Sequence, residues 1–227
     1  MPQDPKRRQK SLQRKTAKRK EKKRAIVQAR PASSRSLSRS AARWPLYECV
    51  ISKNWQDPHF LAEILVARRS PEGEIAAAVF LVDLGCLGVK NAMLRLLPSR
   101  ADYEEDLRSN IGATSGLKSI DLNCAAKIIG EAIAYARELG FSPSRDYPAA
   151  ATLLGDADPG ACKLKIPHGL DGKPFFVAGP YDNVPRIMQQ LTRKFGPDNF
   201  LFAAPLPLSG DPGSFLLEGA DEFDEEP

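Results

Sequence analysis

The chain has only two histidines, His59 and His168, and its four cysteines include no C-x-x-C pair. A metal centre would have to gather ligands from distant positions, so none is expected. No run approaches the roughly 18 apolar residues that span a bilayer, and the N-terminus has no apolar signal-peptide core. The expected setting is therefore cytoplasmic, without membrane contact. No G-x-G-x-x-G finger, paired catalytic carboxylates or Ser/His/Asp order stands out. No cofactor is expected, and the balance leans away from an enzyme. Gly112–Ser119 falls short of a phosphate loop: only three residues separate Gly112 from Gly116, and Leu117 stands before Lys118. It leaves room for a generic anion site at the start of the following helix.

Cys49, Cys86, Cys124 and Cys162 are spaced by 37, 38 and 38 residues. Their local contexts share nothing, so the spacing signals no repeat. Four reduced, mostly buried thiols are the expectation.

What the chain does have is a segregated charge. Residues 1–43 hold 16 Lys/Arg and two acids, Asp4 and Glu21, a net of +14. The remainder is net −9, with six acids in the last ten residues. Like charges at i,i+4 in the arm repel, for example Arg14 with Lys18 and Lys18 with Lys22. Residues 1–43 therefore read as a disordered basic arm and Ser/Arg-rich linker. Residues 44–202 read as one globular domain, and 203–227 as a Pro/Gly-rich and acidic disordered tail.

Within the body, Leu46–Ser52 alternates as a strand. Phe60–Ala67 and Ile75–Val82 flank RRSPEGE, a turn sequence, and predict a hairpin. Ala92–Leu97 is expected to start a short helix, and Ser99 to cap another. The clearest helix spans Asp121–Leu139, closed by Gly140. Further elements are a short helix at Tyr147–Leu154, a strand over Gly172–Val177 and a helix over Pro185–Phe195. Strands first and helices later predict an α+β fold: three or four antiparallel strands covered by two or three helices.

Two blocks, VFLVDLGCLGVKN at 79–91 and DGKPFFVAGPYDN at 171–183, together with the lysine-rich opening, resemble a family of uncharacterised bacterial proteins. The resemblance implies a bacterial cytosolic setting and no particular activity.

Lys/Arg clusters neutralise phosphates and release counterions without reading sequence. Lys18, Arg19, Lys20, Lys22, Lys23 and Arg24 are the densest group, and the arm has no aromatic residue on which to stack a base. The leading expectation is a non-enzymatic protein that binds RNA, DNA or a ribonucleoprotein through residues 1–43. A second reading is an enzyme with a cleft around Asp83, Cys86 and Lys90. A thiol at Cys86 near glycines and Lys90 could ionise more readily, and His59 or His168 would be the base. The bland alternative has Cys86 filling core and Asp83 forming a turn. Lys173, Tyr181 and Asp182 could line a pocket after a strand, and Trp55 with His59 could face a partner. A third reading is a protein-interaction scaffold whose acidic tail competes for the arm.

Overall fold

The computed structural model describes residues 40–112 and 115–204. The expectations for the basic arm and the acidic tail fall outside these residues. The chain divides between Ser40 and Ala41, and the sheet and helices from Leu46 onward belong to the unit that begins at Ala41.

Its centre is a five-stranded antiparallel sheet in the order β4-β3-β2-β1-β5. The strands are β1 (Leu46–Ser52), β2 (Ala62–Arg69), β3 (Ile75–Asp83), β4 (Gly88–Leu97) and β5 (Leu117–Ser119). The predicted hairpin is β2–β3, and its turn is built as the sequence suggests. Gly73 takes φ +99, a conformation that suits glycine, and its N–H bonds the Ser70 carbonyl. Short β5 adds an edge strand to the three or four expected.

Alternation along β3 sends Ala76, Ala78, Phe80 and Val82 to one face and Ile75 and Ala77 to the other. The first face is covered by α2 (Leu122–Leu139), following the shorter α1 (Arg100–Asp106). Asp121 caps α2 by accepting the Asn123 N–H, and Gly140 closes it in the left-handed region. Ala125, Ile128, Ile129, Ala132 and Ile133 form its buried stripe against the sheet. The short α3 (Tyr147–Ala150) and the turn through Leu153 extend this layer. Buried Arg68 donates to the carbonyls of Leu153 and Trp44, and Ala41 is already part of this core.

On the second face, α1 supplies Tyr103, packed with Leu65, Ala67, Ile75 and Leu97. The Tyr103 hydroxyl donates to Glu48, which also accepts from Arg108 at 2.9 Å. Burial, helped by this carboxylate, pushes the Tyr103 phenol well above its ordinary range. A third cluster lies beyond the sheet. Leu191 of α4 (Val184–Phe195) packs there on Cys86, Leu87, Leu139, Phe176 and Phe200. Phe176 belongs to β6 (Phe175–Val177), paired in parallel with β7 (Leu201–Ala203).

Two expectations are corrected. Ala92–Leu97 is strand, not helix: its Ala, Met, Leu and Arg are good helix formers, but pairing with β3 along Phe80–Ile75 overrides propensity. The four thiols are not all free, because Cys124 and Cys162 form a disulfide with Cα atoms 5.0 Å apart. Local contacts bring them together. The Asp158 N–H bonds the Asn123 side chain at 2.8 Å, and Lys127 Nζ bonds the Cys162 carbonyl at 3.0 Å.

Candidate functional site

The two sequence blocks 79–91 and 171–183 meet in space. Between β3 and β4 the chain turns on Asp83, whose Oδ1 accepts the N–H groups of Gly85 at 2.7 Å and Cys86 at 3.0 Å. Gly85 then touches β6: its carbonyl accepts the Phe175 N–H at 3.0 Å. A Cβ at Gly85 would lie 2.2 Å from the Phe175 oxygen. Only glycine permits that approach. Gly85→Ala is therefore expected to cost about 3 kcal/mol or more through forced separation of the two blocks. Urea unfolding would measure it, and a loss below about 1 kcal/mol would show the junction to be loose.

One residue of β4 is in excess. Leu81 pairs with Asn91 and Val82 with Val89, which leaves Lys90 as the unpaired residue of a β-bulge. Bulges re-aim side chains. Here Lys90 Nζ reaches Asp182 Oδ2 at 2.5 Å, with both side chains 12% exposed. The same oxygen accepts the Gly179 N–H at 2.8 Å. A bulge on the edge strand and a turn after β6 thus hold one ion pair.

Beside it opens a cleft of about 420 Å³. The loop between β1 and β2 contributes Asn54, His59, Phe60 and Leu61, and β2 adds Glu63. Leu81 and Asp83 of β3, Lys90 of β4, Ser115 before β5 and Val177–Pro180 also line it. His59 Nδ1 lies 2.9 Å from Asp57 Oδ1, and its ring meets Phe175 edge-on at 5.2 Å. Burial works to raise the Asp57 pKa, but the hydrogen bonds from His59 outweigh it and hold the carboxyl below its ordinary value. A second cleft of about 410 Å³ lies between Phe141 and Ile187, and Lys90 and Asp182 line it as well.

The candidate residues part company here. Asp83, His59 and Lys90 line the first cleft. Cys86 is fully buried in the third cluster, and burial pushes its thiol far above the ordinary value. That is the reverse of an activated nucleophile. His168 stacks on Tyr135 at 4.9 Å with Nε2 3.5 Å from Glu131, and it is no part of this cleft. The thiol–imidazole arrangement is not assembled. Trp55 is 3% exposed and belongs to the core. Tyr181 is fully exposed. Lys173 donates to the Asp198 carbonyl. Gly112 donates its N–H to Glu63 and Asp121 caps α2, so carboxylates hold the positions proposed for an anion. Among the described residues, no group of three or more His, Cys, Asp and Glu is placed to hold a metal ion. No described helix is long and apolar enough to cross a membrane.

Asn54, Phe60, Glu63 and Leu81 are cleft residues that sequence reasoning missed. Glu63 had a signal, since it interrupts the apolar run FLAEILVA. The others had none, because the cleft forms from four separate segments.

Burial raises the Asp83 pKa, against the pull of the Cys86 N–H and Lys90. The folded state therefore holds this proton more tightly than the unfolded chain, where an Asp titrates near ~3.9. The stabilising contribution is full below that pH and fades as pH rises through the folded pKa. Asp83→Asn keeps the acceptor for Gly85 and Cys86 but cannot ionise. Its stability relative to the parent is expected to rise as pH increases above about 4. Urea midpoints across that range test this, and a constant difference would contradict it.

No family model, curated protein or solved structure matches the chain. The site rests on its own chemistry.

Proposed function

We propose that the protein binds nucleic acid, RNA foremost, through the phosphate backbone and residues 1–43. The observation that carries this reading is the +14 net charge of those residues beside a net-negative remainder. Such a density of cations releases counterions from a polyphosphate, and the absence of aromatics in the arm confines it to backbone contact. Binding should therefore be tight, steeply salt-dependent and nearly indifferent to sequence.

The test is fluorescence anisotropy with single-stranded RNA, duplex DNA and heparin across a salt series. Binding to RNA that persists near 150 mM salt and resists heparin supports the reading. Binding that vanishes there, or that heparin displaces at once, leaves the arm a generic polycation and overturns it. A catalytic reading of the body has no supporting thiol, because Cys86 is sealed in the core.

A further inference from the structure

We propose that the cleft between Phe60, Glu63, Leu81 and Pro180 binds an organic cation, an ammonium or guanidinium group carried on an apolar stem. The proposal goes beyond nucleic-acid binding and is independent of the arm.

Glu63 lines the cleft, with Asp57 bonded to His59 and Asp182 to Lys90. Lys90 is the one ammonium among the lining residues, and Asp182 engages it at 2.5 Å. A phosphate or carboxylate ligand would meet the Glu63 carboxylate here and find the Lys90 charge already taken by Asp182. A cation meets the opposite situation.

Hydrogen-bonding capacity points the same way. Asn54 lines this cleft, and its Oδ1 is buried with no partner. Unpaired buried acceptors are rare and costly, so a donor that reaches this one is favoured. Glu63 spends Oε2 on the Gly112 N–H at 2.8 Å, and the other oxygen has no bond to the described chain. Asn54 Oδ1 and the second Glu63 oxygen are thus acceptors that a donor-rich head group fits.

The remaining wall is apolar: Leu61, Leu81, Val177 and Pro180 suit an alkyl stem. Phe60, 42% exposed, stands at this wall, where an aromatic face can attract a cation. The volume of about 420 Å³ matches a small amine or one long basic side chain. The same head group could come from a free alkylamine or from Lys or Arg of a partner protein.

The experiment is calorimetric titration of the full chain with n-pentylamine, agmatine and N-acetyl-lysine methylamide. Pentanol and pentanoate are the controls. Expected is saturable one-to-one binding of the amines, at least tenfold tighter than pentanol, with no pentanoate binding. Glu63→Gln should weaken pentylamine tenfold or more. Asn54→Leu should weaken it several-fold without lowering the melting temperature, because it removes a buried orphan. This second variant decides the matter even if Glu63→Gln misfolds. Acetyl-lysine methylamide binding tenfold tighter than pentylamine identifies a partner side chain, and equal or weaker binding identifies a free amine. Affinity unchanged in both variants would place the amine outside the cleft and overturn the proposal. Pentanoate binding as tight as pentylamine would overturn it too.

Discussion

Replacing Lys18, Arg19, Lys20, Lys22, Lys23 and Arg24 together by glutamine should lower affinity for single-stranded RNA at least about a hundredfold at 0.1 M salt. Each phosphate contact to a single strand contributes about −0.7 to the slope of log K against log salt. Six lost contacts should therefore flatten that slope by about 4. Glutamine keeps helix propensity and a polar side chain, so the change is chiefly one of charge. The substitutions leave the body untouched, which truncation at residue 44 does not: Ala41 is 2% exposed and packs in the main core. An unchanged slope would mean that the contacts lie elsewhere, and Arg7, Arg8, Lys10, Arg14 and Lys15 would be the next group to neutralise. Affinity that falls equally for RNA and heparin would identify a polycation without preference.

How much could be read in advance follows from the range of the forces involved. The β2–β3 hairpin, the span of α2 with its Gly140 stop and the presence of α4 were legible, because each depends on residues within a few positions of one another. Pro71 and Gly73 make the turn locally, and Asp121 and Gly140 end their helix locally. Strand β4 was misread because its composition suits a helix and only the neighbouring β3 makes it a strand. The blocks 79–91 and 171–183 were picked out for the residues they contain, but their meeting was not legible. It depends on Gly85 fitting beneath Phe175 and on a bulge at Lys90, and both are decided by tertiary packing. The role of Cys86 turned on burial. A thiol next to glycines and a lysine looks activated in one dimension, whereas in three the low-dielectric surroundings suppress its ionisation.

The same lesson bears on the other two cysteines, where the next-largest effect is expected. Cys124 lies in the first turn of α2 and Cys162 follows the Pro159–Ala161 turn, 38 residues later. Closing a loop of that length restricts the unfolded chain by about 4 kcal/mol in the chain-entropy model. Reduction, or a Cys124→Ala/Cys162→Ala double variant, should therefore move the urea midpoint down by about 2 M if the slope is near ~2 kcal/mol per M. Thiol counting separates this bond from the free cysteines. Cys49 and Cys86 are both buried, and burial pushes the Cys49 thiol up to about 12. Neither should react with a thiol reagent in the native protein at neutral pH. After denaturation without reductant, two thiols should titrate, and with reductant, four. If four titrate without reductant and the midpoint ignores it, the bond is absent from the isolated protein. The hydrogen bonds from Asp158 to Asn123 and from Lys127 to the Cys162 carbonyl would then have to hold that segment on α2 alone. Should the predicted loss appear, the segment carrying Cys162 and His168 is anchored covalently. A reducing environment would then loosen the Glu131–His168 contact before it reached the sheet, because that contact is a 3.5 Å pair on a partly exposed surface while the sheet core is sealed.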